Sequence, residues 1–232
     1  MKTSLIIGTL LEILKVIPRT LFMAAVIMGA GIIFGTCIAL IRRKAGKAVN
    51  AVLNLFLAYV RGTPMVVQML IVYYSLPVLL AAMANGIFGT TLKSYDIPNV
   101  VSIYVPYIIN VSFHQSEHIR GALKSVEKGQ EEAALAMGLL PFQTFIRIVA
   151  PQALAVAIPG FVSYYMSVIK MLSLAFMLEV VDILAAAKLY ASRVSVFTEC
   201  YIAAALVYWV LSIIFTYLAN WAEVRIRKGA KV

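Results

Sequence analysis

Acidic residues are scarce in this chain: ten Asp and Glu stand against twenty Lys and Arg in 232 residues, and only 13% of positions are charged. With 62% of residues hydrophobic, so little charge excludes an ordinary soluble domain. Cysteine is nearly absent. Cys37 and Cys200 show no C-x-x-C spacing, which argues against a disulfide scaffold or a thiolate metal site, and both are expected to be small buried packers. The two histidines, His114 and His118, stand four apart and could share a helix face, but Glu117 points elsewhere and no further ligand lies nearby. Interfacial packing is therefore their expected role. The chain has no internal repeat and no G-x-x-x-x-G-K-[ST] phosphate loop, since Gly46-Lys47 lacks a glycine five residues earlier. An intramembrane enzyme is also disfavoured: Ser112, His114 and Glu117 crowd one helix end, but Ser112 and His114 fall on different faces.

What the chain does have is long apolar runs. A hydrocarbon layer about 30 Å thick needs roughly 20 apolar residues in a helix. Five candidate spans meet that need: Thr20 to Ile41, about Val52 to Ala84, Ile97 to Ser116, Ile148 to about Leu178, and Cys200 to Ala222. The second and fourth exceed one crossing, so each should contain an interfacial or broken helix. The expected fold is an all-α integral membrane protein of about five transmembrane helices, one transmembrane domain over 1–232. Residues 1–19 read as an amphipathic surface helix ending in a bend at Pro18. The first span ends in Arg-Arg-Lys without a cleavage pattern, so it reads as retained. Gly29, Gly31 and Gly35 form an expected packing face. Asp96 and Pro98 should open the third span, and Pro106 and Pro159-Gly160 should kink the third and fourth.

Cations set the expected sidedness. With the N-terminus outside, the inner segments hold Arg42, Arg43, Lys44, Lys47, Arg120, Lys124, Lys128, Arg147, Arg225, Arg227, Lys228 and Lys231, twelve in all. The outer ones hold six: Lys2, Lys15, Arg19, Lys93, Lys188 and Arg193. This asymmetry puts the C-terminus in the cytoplasm. It also accounts for the net charge of +10 without nucleic acid, because the cations flank spans instead of lining one stripe with aromatics.

Between Arg120 and Ala150 lies a long polar connection, and such loops usually have a function. Glu131 and Glu132 suit the positive end of a helix dipole. Ala134, Leu135 and Met137 give it an apolar face, and Gly138 with Pro141 stops it. A second short helix from Pro141 should bury Phe142, Phe145, Ile146 and Val149. The residue pattern fits either a helix docking in a partner's groove or a reentrant loop closing the bundle. Arg61 and Lys170 are the two cations inside spans, where a lipid-facing charge costs about 2.5 to 3.5 kcal/mol. Arg61 could line a pathway or pair with Glu117. Lys170 could meet a solute carboxylate or reach outward to the interface.

Several spaced motifs carry a resemblance. Glu132-Ala133-Ala134, Gly138, Ile148 and Pro151 resemble the EAA loop of permease subunits of bacterial ATP-binding-cassette importers. Arg61-Gly62-Thr63-Pro64 with Gln68, Arg120-Gly121-Ala122, Lys128-Gly129-Gln130 and Pro151-Gln152-Ala153 are similar to its polar amino-acid branch. The resemblance spans residues from about 55 to 225. It implies that Glu131, Glu132, Ala133, Ala134, Met137 and Gly138 form a cytoplasmic coupling helix for a separate ATPase, which would bind ATP and Mg; no cofactor is expected in this chain. It further implies a second permease subunit (itself or a homologue), an extracellular solute-binding protein, and a location in a bacterial plasma membrane. Candidate solute contacts are Arg61, Thr63, Gln68, Tyr164, Ser167, Lys170 and Ser173. The branch's usual Lys-Asp-Thr-Ser-Leu reads Lys170-Met171-Leu172-Ser173-Leu174 here, and no acid occurs between Ile148 and Leu178. A cationic amino acid would lack a counter-charge, so a neutral zwitterion such as cystine is the expected cargo. The alternative is an ATP-independent secondary transporter or channel.

Overall fold

The computed structural model describes residues 3–229, with side chains through Arg225; Lys2 and Lys231, and the side chains of Arg227 and Lys228, used above for sidedness, lie outside the described residues. Within them the chain is predominantly helical, without strands. The helices are α1 (Thr3–Lys44), α2 (Lys47–Gly62), α3 (Met65–Phe88), α4 (Asn99–Lys124), α5 (Lys128–Ala136), α6 (Pro141–Thr144), α7 (Ala150–Met171), α8 (Ile183–Val194) and α9 (Thr198–Gly229). A π-helical turn, Phe145–Val149, leads into α7, and a 3₁₀ run, Leu172–Leu178, leaves it.

Among the described residues, four segments are long and apolar enough to cross a membrane: α1, α3, Pro141–Leu178 and Thr198–Arg225. The other expected span corresponds to α4, whose 26 residues reach about 39 Å at 1.5 Å per residue. It is less apolar because Ser102, Asn110, Ser112, Gln115 and Ser116 sit on its buried face. A polar helix is tolerable at the centre of the bundle, shielded from lipid by its neighbours. α1 packs along α4 and against α8 and α9, α7 packs on α9, and α4 also meets α3 and α7. Tyr107, fully buried, ties these together: its hydroxyl donates to the Met171 carbonyl at 3.3 Å. Conversely, Phe22, Ile33, Leu55, Phe88, Trp209 and Tyr217 face outward, as expected where the surroundings are as apolar as the core.

Several expectations are corrected. No separate surface helix precedes the first span: α1 runs unbroken through Pro18 for 42 residues. A proline removes one intrahelical hydrogen bond, and the tertiary contacts of α1 outweigh that loss. Pro106 and Pro159, expected to kink the third and fourth spans, lie inside α4 and α7. The chain breaks instead at Thr63-Pro64 and after Leu178, where Glu179 adopts a left-handed backbone with φ 63°. α4 begins after Pro98, while Asp96 belongs to a separate short turn and accepts the Lys93 amide at 2.8 Å. Cys37 is exposed; only Cys200 is buried.

The glycine face is also narrower than expected. A Cβ on Gly35 would stand 2.9 Å from Gln115 Cβ and 2.9 Å from the Ser112 carbonyl oxygen, whereas one on Gly29 would meet nothing within 4 Å. Gly35→Ala should therefore lower stability by about 2 kcal/mol through overpacking of α1 on α4. Gly29→Ala should be neutral or stabilising by up to about 1 kcal/mol through helix propensity. Thermal unfolding of the two variants in one detergent checks this contrast; equal melting would refute the packing argument.

Candidate coupling site and translocation path

The polar loop forms two projecting helices. α5 begins at Lys128, earlier than the glutamate pair, and Gly138 ends it with φ 86°. The Gly138 amide donates to the Leu135 carbonyl at 3.0 Å and the Leu139 amide to the Ala134 carbonyl at 3.2 Å. These bonds satisfy two terminal carbonyls and turn the chain sharply, a conformation glycine adopts without a Cβ penalty. Of the six residues expected to couple, Ala134 faces inward and is buried, Glu131 is half-buried, and Glu132, Ala133, Met137 and Gly138 are exposed. Met137 is 85% exposed and is followed by outward-facing Leu140 and Phe142.

The second short helix departs from its expected face. Thr144 and Val149 are buried and Phe145 half-buried, while Phe142 and Ile146 point outward. The π turn supplies the reason: an i→i+5 turn shifts the register, so the 3.6-residue spacing does not carry across it. The loop consequently presents an apolar tip of Met137, Leu140 and Phe142.

Three ties hold this tip to the bundle. Arg43, at the end of α1, donates to Glu131 at 2.8 Å and lies 5.3 Å from the Phe145 ring centroid. Gln152 of α7 donates to Gln130 at 2.5 Å. Next to Arg43, Arg42 pairs with Glu117 of α4 and donates to Asn54 at 2.5 Å, while Arg120 pairs with Glu117 at 2.6 Å. Glu117 is thus not the partner of Arg61, as the sequence allowed; two nearer guanidiniums occupy it. Sequence reasoning used Arg42 and Arg43 only for sidedness, and their partners 75 and 88 residues away leave no local signal.

The candidate solute contacts separate into groups. Gln68 is buried, and its amide donates to the carbonyls of Val60 and Thr63 at 2.8 and 2.9 Å and to Thr63 Oγ1 at 2.8 Å. Its Oε1 accepts from Asn110 at 3.0 Å. Gln68 and Thr63 therefore satisfy the backbone freed at the α2–α3 break, a structural requirement inside a membrane. Arg61 and Tyr164 come together at one polar cavity between α2, α4 and α7. Ser167 and Lys170 are exposed further along α7, and Ser173 donates back to the Lys170 carbonyl at 2.7 Å. His114 packs on Tyr164, and His118 meets the Ala157 carbonyl at 3.1 Å and the Phe161 ring. No group of three or more metal-ligating side chains occurs among the described residues.

Residues 27–228 match the family described as binding-protein-dependent transport system inner membrane component. The chain belongs to this family. Among similar curated proteins, the "Probable amino-acid permease protein YxeN" of Bacillus subtilis (strain 168) is 35% identical over 91% of this chain and 89% of its own length. The L-cystine transport system permease protein TcyL of the same organism is 33% identical over 92% of this chain and 86% of its own. A solved amino acid ABC transporter, crystallised with histidines, superposes with TM-score 0.74 at 25% identity, covering 96% of this chain and 94% of its own.

As an ATP-binding-cassette importer permease, this membrane-embedded chain works with an ATPase and a binding protein, and hydrolysis belongs to the separate subunit. That membership sets aside the ATP-independent alternative. The loop itself is joined to two of the spans, to α1 through Arg43 and Glu131 and to α7 through Gln152 and Gln130.

Proposed function

We propose that the permease pairs with a second permease subunit, a copy of itself or a homologue, around a shared pathway and imports a neutral, zwitterionic amino acid, with cystine as the specific candidate. The N-terminus lies outside and the C-terminus in the cytoplasm, so α5 and its apolar tip meet the ATPase. The observation carrying this reading is that exposed tip, Met137, Leu140 and Phe142, mounted on a helix tied to two spans. A helix with apolar anchors seats in a groove, and closure of the ATPase shifts the spans to the extent that the tip binds the two states differently.

The amino-acid cargo rests on the relatives, among them L-cystine permeases, and on the charge of the path. Arg61 and Lys170 make no ion pair among the described residues, and α7 with its 3₁₀ extension contains no acid. These cations suit a carboxylate and oppose a cationic side chain. In liposomes holding the complete transporter, labelled L-cystine uptake should require ATP and binding protein, and deleting residues 131–140 should reduce it to background. ATP-driven uptake that survives the deletion would sink the coupling assignment; uptake of lysine in preference to cystine would sink the cargo.

A further inference from the structure

Near the root of the coupling loop, a cavity of about 410 Å³ is lined by Arg61, His114, Gln115, Glu117, His118, Gly160 and Tyr164. Most of the spans present hydrocarbon, so this concentration of ionisable groups stands apart. Intramembrane charges and imidazoles are normally retained for a ligand or ion path.

Charge bookkeeping defines what the cavity would hold. Glu117 is its one acid, and Arg42 and Arg120 both occupy that carboxylate. Arg61, on the opposite wall, has no ion-pair partner among the described residues. Gln115 is 1% exposed and its Oε1 has no hydrogen-bond partner among the described residues. A buried acceptor left bare costs about 1 to 3 kcal/mol, and a donor such as the ammonium group of an amino acid, not its carboxylate, would satisfy it. Gly160 lets His118 lie close against α7: a Cβ there would overlap the His118 ring. The site therefore has a free guanidinium, two imidazoles and a phenol, without a free acid.

We infer that this cavity is a carboxylate-binding station for the amino-acid cargo, with Arg61 as its anchor and His114 and Tyr164 beside it. The inference rests on the amino-acid reading above. A guanidinium fork binds a carboxylate through two parallel N–H donors, which a lysine cannot reproduce. Position adds a role: Glu117 in the wall holds Arg42, and the adjacent Arg43 holds Glu131 on α5. The station thus adjoins the end of the bundle where the ATPase would dock, making it the last holding point before release.

The test uses the complete transporter in nanodiscs of phosphatidylcholine alone, so that no lipid headgroup offers a carboxylate. Thermal stabilisation is measured with L-cystine and L-glutamine, each against its decarboxylated counterpart, alongside uptake in liposomes. The amino acids should stabilise the assembly and the decarboxylated probes should not. Arg61→Gln should weaken the apparent affinity about thirtyfold, with Arg61→Lys between it and the native protein. Arg61 is exposed and makes no ion pair among the described residues, so the unliganded variants should melt normally; a misfolded Arg61→Gln assembly is replaced by His114→Gln. Amino-acid binding unchanged in both variants, or stabilisation as strong without the carboxylate, overturns the station while leaving the transport reading intact. Failure of the native transporter to take up any amino acid overturns the transport reading itself.

Discussion

Met137→Asp is expected to lower ATP-driven uptake at least about thirtyfold while leaving the amount of protein in the membrane unchanged. The side chain is 85% exposed, so its replacement removes almost no packing from the chain itself, and surface changes of this kind usually alter stability by less than about 0.5 kcal/mol. At a docking tip the consequence is different. Anchors at the centre of an interface contribute about 2 kcal/mol or more each, and a carboxylate pressed into an apolar groove adds a desolvation penalty. Met137→Leu, which keeps an apolar side chain of similar volume, should transport nearly normally. Ala134→Asp is the contrasting case: Ala134 is 6% exposed, and a buried carboxylate there should reduce membrane levels as well as uptake. Uptake and quantitative membrane fractionation of the three variants decide the matter. Normal uptake by Met137→Asp would remove the tip from the mechanism, and loss of the protein from the membrane would make the residue a folding determinant.

Glu117→Gln should destabilise the assembly by about 3 kcal/mol, because breaking a buried ion pair leaves an uncompensated charge. Arg42 is 7% exposed and Glu117 19%, so water cannot substitute fully for the lost carboxylate. Arg42 Nε already lacks a partner among the described residues, and Asn54 remains as the neutral contact of the guanidinium. For a chain of this size the loss corresponds to a melting temperature lower by about 6 to 12 °C. Arg120→Gln should cost less than about 1 kcal/mol, since that side chain is 38% exposed and exposed pairs contribute little. The double variant Arg42→Met with Glu117→Gln should recover part of the loss, because the two groups interact directly and their effects are not additive. A Glu117→Gln protein melting with the native one would show that this junction is not a structural tie.

Much of this protein was legible along the chain because the deciding forces were local. Runs of apolar residues without charge identify membrane spans whatever they pack against. The Glu131-to-Pro141 stretch locates a short helix because the dipole, the left-handed Gly138 and the proline act within one or two turns. The spacing of Arg61-Gly62-Thr63-Pro64, Glu132-Ala133-Ala134 and Gly138 carried the family. Of the two overlong spans read from the sequence, the structure divides the second at Pro64, while the fourth stays continuous and passes from α-helix to a 3₁₀ run at Leu172.

What the tertiary structure alone decided concerns faces and partners. In water, an apolar stripe on a helix marks its buried side; in lipid, an apolar side chain is stable on either side, so Phe142 and Ile146 could not be distinguished from Phe145 and Val149 by composition. Gly29 and Gly35 look alike until α4 is laid against α1. That Gln68, read as a candidate solute contact, satisfies the backbone at the α2–α3 break, and that Glu117 pairs with Arg42 and Arg120 over Arg61, became visible only in the folded chain. Pairings between residues 75 or 88 positions apart depend on how helices cross, and that crossing is set by the sum of many weak packing contacts that no short stretch of sequence contains.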